Sequence, residues 1–306
     1  MTAEIVPLRR SAPPSLDPMI ALVAADMNQV NSVILARMQS EVPLIPELAG
    51  HLIAGGGKRM RPMLTLACAK LLHYGGARHH KLAAAAEFIH TATLLHDDVV
   101  DGSGMRRGKR TANIIWGNPA SVLVGDFLFS RSFELMVEDG SLRVLRILSN
   151  ASAVIAEGEG NQLTAVVAES EEGIEEALDA YGRNLGIAFQ LVDDAIDYVS
   201  DGETMGKDSG DDFRDGKVTL PVILAHARGS VEDKAFWRAA MEGHRVSDED
   251  LAHATQLLRS TGAIDDTLAR ARHYGQRAID AIGSFPGGAA KTALTEAVEF
   301  AIARAY

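Results

Sequence analysis

The chain has 306 residues and a formal net charge of −11 at pH 7, and this acidic balance argues against a nucleic-acid partner. Its Ala- and Leu-rich, aromatic-poor composition with only 10 prolines predicts helices in preference to sheets. The single cysteine, Cys68, cannot form an intramolecular disulfide, which is typical of a reducing compartment and predicts a cytoplasmic protein.

Residues 1–15 are predicted to form a mobile N-terminal arm, and residues 16–306 a single domain. The arm contains Arg9-Arg10 and Ala12-Pro13-Pro14 but no continuous apolar core of the kind found in targeting signals. No stretch of the chain has the unbroken apolar length that a transmembrane segment needs. Helical periodicity begins near Leu16 and dominates to the C-terminus, without an alternating pattern strong enough for a sheet.

A glycine-rich turn, Gly55-Gly56-Gly57, precedes a helix predicted from Met63 to Leu72. The free N–H groups and the dipole at a helix start attract phosphate, and Lys58 and Arg61 add positive charge there. The turn therefore favours a phosphate site. A flexible linker with solvated basic residues is the alternative.

A long helix is predicted from Lys81 to Asp101, and it ends in three carboxylates that include Asp97 and Asp98. Asp97 and Asp101 are four residues apart and project from the same face, where like charges destabilise a helix unless something compensates them. Oxygen ligands suit hard cations, above all Mg²⁺, which commonly binds carboxylates together with substrate phosphates.

Two adjacent arginines, Arg106 and Arg107, follow this helix after a short turn. Guanidinium groups bind phosphate oxygens bidentately. Carboxylates for a metal beside arginines for phosphate predict a Mg²⁺-diphosphate site. The alternative is a solvated acidic helix end beside a basic loop.

A second copy of the acidic pattern, Asp193-Asp194 followed by Asp197, lies on another predicted helix. Gln190, Asp193 and Asp197 fall on one face of that helix, beside an apolar stripe. Two such motifs can face each other and hold metal ions between them. The polar, Gly-rich segment 200–217 follows, and amphipathic helices complete the chain.

These motifs resemble the polyprenyl synthetase family of trans-isoprenyl diphosphate synthases, and within it the long-chain bacterial type. The resemblance runs from about Glu47 to the C-terminus. It rests on these segments, in this order: Gly56–Pro62, Asp97–Asp101, Arg106–Gly108, Gly125-Asp126, Gly186–Gln190, Asp193–Asp197, Gly206-Lys207, Gly210–Phe213 and Gly216–Pro221.

The resemblance implies an all-α, single-domain isoprenoid synthase bundle around a central cavity, with both aspartate motifs at its mouth. It implies Mg²⁺-dependent head-to-tail condensation of isopentenyl diphosphate with an allylic prenyl diphosphate. The expected product is a long-chain all-trans polyprenyl diphosphate, as in quinone side chains. A homodimer is expected, with peripheral membrane contact during product release.

The resemblance also assigns roles to individual residues. The catalytic carboxylates are Asp97, Asp98, Asp101, Asp193, Asp194 and Asp197, of which Asp97, Asp101 and Asp193 hold the metal. The residues assigned to isopentenyl diphosphate are Lys58, Arg61, His90 and Arg107. The residues assigned to the allylic diphosphate are Arg106, Lys207 and Lys217, and Gln190 also lies in the substrate site. Segment 200–217 would act as a lid over the diphosphates; a disordered surface loop is the alternative.

Ala92, five residues before Asp97, stands where the family lines the pocket for the growing hydrocarbon tail. An aromatic ring there closes the pocket in short-chain enzymes, whereas alanine leaves it open. Ile89 and Phe88 lie about one helical turn deeper. Alternatively, Ala92 serves only helix packing.

The sequence departs from the family pattern after Thr164. Family members continue there into a helix carrying a Lys-Thr pair, which is missing between Thr164 and the second aspartate helix. Either about one helix and its connector are deleted, or the sequence as written omits them. We favour the omission, because a deletion would remove a wall of the active site.

Four other functions remain open from the sequence. A terpene cyclase or a head-to-head synthase would not need a second diphosphate site at Lys58, Arg61 and Arg107. A shorter-chain synthase would share every motif. A non-catalytic regulatory subunit is disfavoured by the intact aspartates but favoured by the missing Lys-Thr pair.

Overall fold

A computed structural model describes residues 13–54, 58–106, 108–154, 168, 170, 172–199, 210–243 and 247–304. Over these ranges the chain folds into helices joined by short connections, with one small ribbon. The helices are α1 Asp17–Arg37, α2 Leu44–Ala54, α3 Met60–Leu71, α4 Arg78–Val100, α5 Ala112–Trp116, α6 Asn118–Asp139, α7 Leu142–Val154, α8 Glu172–Ile196, α9 Asp211–Arg214, α10 Leu220–Arg228, α11 Val231–Gly243, α12 Asp248–Ser260, α13 Ala263–Ala281 and α14 Ala289–Ala303.

The all-α prediction is confirmed, and the ribbon is its one local exception within the described ranges. Two-residue strands β1 (Met105–Arg106) and β2 (Lys109–Arg110) pair antiparallel, directly after α4. They form a hairpin that returns the arginine loop toward the first aspartate motif.

Two predicted helices begin earlier than expected. The helix predicted from Met63 begins at Met60, because Arg59 adopts a left-handed conformation (φ 51°) that marks the helix start. The helix predicted from Lys81 begins at Arg78 and ends at Val100, with Gly102 in the left-handed region (φ 64°) just beyond it. The predicted stop at Gly102 is correct, because glycine adopts this conformation without steric cost.

The core consists of long helices packed side by side, which fixes where their ends lie. Helix α4 packs along α6, α8 packs along α13, and α14 lies against α1, α3 and α8. The alanine-rich face of α4 is buried, so its neighbours approach closely. A second apolar cluster around Phe213 and Trp237 anchors the segment after α8.

Helix α1 is long and apolar enough to cross a membrane, contrary to the composition-based prediction. One side of this helix packs into the bundle. Met19, Val23, Val30 and Ile34 are buried in the main core, and Asp26 forms an ion pair with Lys70 of α3. Only 22% of its most apolar stretch is buried, so α1 meets the criteria for a membrane span by length and composition alone.

Candidate active site

The first aspartate motif divides into side chains with different surroundings. Asp98 is buried, with 4% of its surface exposed, and its Oδ1 accepts hydrogen bonds from Arg106 Nε at 2.9 Å and Nη2 at 2.7 Å. Asn113 Nδ2 donates to the backbone carbonyl of Asp98 at 3.0 Å. Asp98 therefore fixes Arg106 and the hairpin, while Asp97 and Asp101 are exposed at the helix end.

Asp97 carries the electrostatic signature of a cation site. Its pKa is raised, first by partial burial and then by the charge of Asp101. The folded protein thus disfavours the ionised form that a metal ligand must have, and a bound cation would remove this penalty. Paired carboxylate oxygens of this kind fit a hard divalent cation such as Mg²⁺.

Lys217 links the first aspartate motif to the segment after the second. Its Nζ lies 3.9 Å from Asp101 Oδ2, 3.4 Å from Asp212 Oδ1 and 2.9 Å from Asp215 Oδ2. Burial tends to lower the pKa of Lys217, but these carboxylates outweigh it and raise the pKa overall. The backbone N–H of Asp212 in turn donates to Asp197 Oδ2 at 3.1 Å. One lysine therefore stands between the two aspartate motifs.

The second motif also contains one buried structural carboxylate. Asp194 has 7% of its surface exposed, and its Oδ1 accepts a hydrogen bond from Gln190 Nε2 at 2.7 Å. Its pKa is raised mainly by burial. Gln190, grouped in the sequence with Asp193 and Asp197, therefore supports Asp194. Asp197 follows the last residue of α8 and caps the start of α9.

Helix α14 brings the predicted phosphate site close to the second aspartate motif. Lys58 Nζ lies 4.4 Å from the centre of the Phe300 ring. Four residues later, Arg304 Nη2 lies 3.0 Å from Asp193 Oδ1, and the guanidinium stacks 4.6 Å from the Phe189 ring. Residues four apart on a helix are neighbours, so Lys58 and Asp193 lie at the same end of the bundle.

Sequence reasoning did not identify Arg304. No motif surrounds it, and only the packing of α14 against α8 places it beside Asp193. A guanidinium on Asp193 Oδ1 shows that this carboxylate faces a position for positive charge. Arg304 Nη1 is buried and has no hydrogen-bond partner among the residues described.

Arg59 is a second residue that the sequence did not single out. It holds a left-handed backbone (φ 51°) although it is not glycine, and its guanidinium lies 3.6 Å from Glu87 of α4. Such strain costs about 1–3 kcal/mol and is often found at functional sites. The contact fixes the start of α3 against α4, one turn before His90.

Gly125, part of the family pattern, has a steric role beside the first motif. A Cβ at this position would collide with the His96 ring. His96 Nε2 lies 3.5 Å from Asp126 Oδ1 and 3.3 Å from the carbonyl of Val122. The absence of a side chain on Gly125 lets His96 lie against α6, immediately before Asp97.

The remaining predicted residues fall into three groups. Lys58 is exposed, whereas Arg61 and His90 are half-buried near the start of α3 and in the middle of α4. Ala92, Phe88 and Ile89 are all buried in the main core. Arg107 and Lys207 lie outside the described residues, as does the junction between Thr164 and Ala165.

The fold is shared with solved prenyl synthases. A polyprenyl synthase from Caulobacter crescentus, solved with calcium and isoprenyl diphosphate, is 47% identical with a TM-score of 0.89, covering 96% of this chain and 99% of that one. A decaprenyl diphosphate synthase from Rhodobacter capsulatus is 42% identical with a TM-score of 0.90, covering 95% and 100%. The predicted isoprenoid synthase fold is confirmed by these structures.

Sequence comparisons locate the departure from the family pattern. The family model described as Polyprenyl synthetase matches in two segments, residues 42–167 and 161–258, which overlap around Thr164, where the family pattern was found to break. The octaprenyl diphosphate synthase of Haemophilus influenzae is 40% identical over 326 aligned positions, covering 95% of this chain and 98% of that protein. Since the chain has 306 residues, at least 20 aligned positions have no residue opposite them.

Mass spectrometry will distinguish omission from deletion. If residues are omitted after Thr164, the intact mass of the purified protein will exceed 32.7 kDa by about one helix and its connector. A peptide spanning Thr164 and Ala165 will then be absent from a proteolytic digest. An intact mass of 32.7 kDa together with that peptide would establish the deletion.

Two independent matches agree on the family. The family model covers more than half of the chain, and the Haemophilus relative aligns over nearly its whole length. The chain belongs to the polyprenyl synthetase family.

Proposed function

We propose that this protein condenses isopentenyl diphosphate with an allylic prenyl diphosphate, head to tail, to give a long-chain all-trans polyprenyl diphosphate. One observation carries the proposal: two aspartate motifs, Lys58, Lys217 and Arg304 meet at one end of the bundle. The octaprenyl and decaprenyl synthases among the relatives confirm the predicted reaction class and the long-chain type.

Pure protein incubated with Mg²⁺, an allylic starter and labelled isopentenyl diphosphate tests this activity directly. Label should appear in a series of prenyl diphosphates whose longest member is a long-chain product. A cyclised hydrocarbon, or a product that forms without isopentenyl diphosphate, would instead identify a cyclase or a head-to-head synthase. No product without an added partner subunit would indicate the regulatory role.

Mg²⁺ is the proposed cofactor, and Asp97, Asp101 and Asp193 are the residues that would hold it. The raised pKa of Asp97 and the guanidinium beside Asp193 both support a cation position. When bound, Mg²⁺ neutralises the diphosphate and makes it a better leaving group. The calcium in the Caulobacter relative supports a hard divalent cation.

The side chains of the site mainly bind and orient. Arg106, fixed by Asp98, and Lys217 would hold the allylic diphosphate and stabilise the charge that develops as its C–O bond breaks. Lys58 and Arg61 would hold isopentenyl diphosphate so that its double bond reaches the allylic carbon. The proton lost on forming the new double bond passes to the departing diphosphate. No protein nucleophile is then required.

Steady-state kinetics will separate the two diphosphate sites. Lys58→Ala and Arg61→Ala should each raise the KM for isopentenyl diphosphate by about ten- to hundredfold, the effect of losing one charge-assisted hydrogen bond. Arg106→Lys should raise the KM for the allylic substrate, because lysine keeps the charge beside Asp98 but loses the bidentate geometry. Arg238→Ala, an exposed change on α11, is the control. The opposite pattern of KM changes would refute the assignment.

A cytoplasmic homodimer is part of the proposal. One face of helix α6 exposes Val122, Leu123, Phe133 and Val137, of which Leu123 and Val137 are about two-thirds exposed, together with the polar Asp126 and Ser130. A symmetric dimer would bury this face of one protomer against that of its partner. Sedimentation equilibrium distinguishes dimer from monomer.

A further inference from the structure

A cluster of metal-ligating side chains lies far from the aspartate motifs. Asp26 of α1 meets His79 and His80, which are in the first turn of α4. His80 lies 17 residues before Asp97, which corresponds to about 26 Å along an α-helix. The proposed prenyl transfer makes no use of this cluster.

The ligand atoms already have the spacing of a small metal site. His80 Nε2 lies 2.9 Å and His79 Nε2 3.7 Å from Asp26 Oδ1, and the three candidate ligand atoms are all within 4.8 Å of one another. Zinc holds nitrogen and oxygen ligands at about 2.0–2.2 Å, so neighbouring ligand atoms in a tetrahedral site are roughly 3.3 Å apart. The two distances from Asp26 Oδ1 lie on either side of this value.

The three side chains lie largely away from water. His79 has 4% of its surface exposed, and the side chains of Asp26 and His80 are each 15% exposed.

Two buried side-chain atoms in this cluster have no hydrogen-bond partner among the described residues, and one of them, Asp26 Oδ2, forms an ion pair with Lys70 Nζ. His79 Nδ1 has no hydrogen-bond partner among the described residues, although nearly all buried polar groups in proteins have one. The Tyr74 ring packs edge-on against the His79 ring, and Lys70 Nζ lies 2.7 Å from Asp26 Oδ2. Tyr74 thus fixes the orientation of the His79 ring, and Lys70 fixes the Asp26 carboxylate.

We propose that Asp26, His79 and His80 form a structural site for Zn²⁺ or a similar first-row divalent ion, which joins the N-terminal helix α1 to α4. Two imidazoles and one carboxylate are a ligand set that selects zinc-like ions over Mg²⁺. A water molecule completes four-coordination. The site is independent of the proposed prenyl transfer.

A substitution of Lys70 distinguishes a metal site from a simple hydrogen-bond network. Its ammonium repels an incoming cation while it neutralises Asp26. Lys70→Met should therefore tighten metal binding by at least about tenfold, the size of effect that Coulomb's law gives for a unit charge beside a divalent ion even in a water-like medium. Lysine at this position is about two-fifths exposed, so the substitution leaves the core intact.

The experiment uses the full-length protein, freed of metal and kept in excess Mg²⁺ so that the aspartate motifs are occupied. Zn²⁺ affinity is measured by competition with a chromophoric chelator, and Co²⁺ by the visible absorption of its tetrahedral complex. We expect one equivalent bound, about a hundredfold weaker binding in His80→Gln, and unchanged binding in the control His273→Gln, an exposed histidine on α13.

Three results would overturn the site: no saturable Zn²⁺ binding in excess Mg²⁺, equal affinity in His80→Gln and His273→Gln, or weaker binding in Lys70→Met than in wild type. Circular dichroism verifies that each variant is folded. If His80→Gln does not fold, the direction of the change in Zn²⁺ affinity in Lys70→Met alone decides whether the site binds metal.

Discussion

Replacing Asp97 or Asp193 with asparagine will lower turnover by about 10²- to 10³-fold while the helical fold remains. Each change removes a carboxylate that would hold Mg²⁺ at the departing diphosphate, and the loss of a group that stabilises developing charge typically costs this much. Turnover with isopentenyl diphosphate and an allylic starter is the measurement. Near-normal activity in either variant, or of wild type in a chelator, would exclude the metal assignment.

The thermal stability of the Asp97 variant tests the role of this carboxylate independently of turnover. Because the pKa of Asp97 is raised, its ionised form destabilises the folded protein above that pKa, and this penalty disappears below the ordinary carboxyl range. Metal-free Asp97→Asn should therefore melt at or above the wild-type temperature at pH 7, and the difference should vanish in acid. Asp265→Asn, an exposed aspartate in the first turn of α13, is the control.

Added Mg²⁺ and a diphosphate should reverse the order of the two melting temperatures, so that the wild type melts above Asp97→Asn. Mg²⁺ and a diphosphate stabilise whichever protein binds them, so the wild type will gain melting temperature and Asp97→Asn will gain little. If both proteins respond equally, Asp97 does not hold the metal, whatever its effect on turnover.

The sequence was sufficient to predict which charged residues form the site, but not which of them are structural and which are available to a ligand. Asp97 and Asp98 are adjacent and chemically identical, and both were assigned to catalysis. Only the hairpin after α4 shows that Asp98 is buried against Arg106 while Asp97 is exposed. Helix rotation and the path of the returning chain decide this, and neither is encoded in the spacing of the two aspartates.

The long-range contacts of the site could not be predicted from the sequence either, because they too depend on how distant parts of the chain pack together. Arg304 lies more than a hundred residues after Asp193, and Lys217 more than a hundred after Asp101, so no local period relates them. By contrast, the all-α fold and the stop at Gly102 follow from helix propensity and backbone conformation, which are local properties. Those predictions were confirmed.

Ala92→Phe will shorten the product to a short prenyl diphosphate while condensation continues. Ala92 is buried on α4, with Phe88 and Ile89 about one turn away toward the N-terminus of that helix. Each added prenyl unit removes apolar surface from water at about 25 cal/mol per Å², so growth continues until the tail meets a barrier. An aromatic ring at position 92 would place that barrier close to the first aspartate motif. Chromatography of the dephosphorylated products measures the chain length.

The competing explanation is that Ala92 only packs against a neighbouring helix, and a matched variant separates the two. Ala83 is equally buried but lies nine residues earlier, on the opposite face of α4. Overpacking a core typically costs about 1–3 kcal/mol, so both Ala92→Phe and Ala83→Phe should lower the melting temperature. Only Ala92→Phe should change product length. In a series from Ala92→Val through Ala92→Leu to Ala92→Phe, length should fall as side-chain volume rises. If length stays constant while stability falls in parallel at both positions, the barrier to the tail lies elsewhere in the bundle.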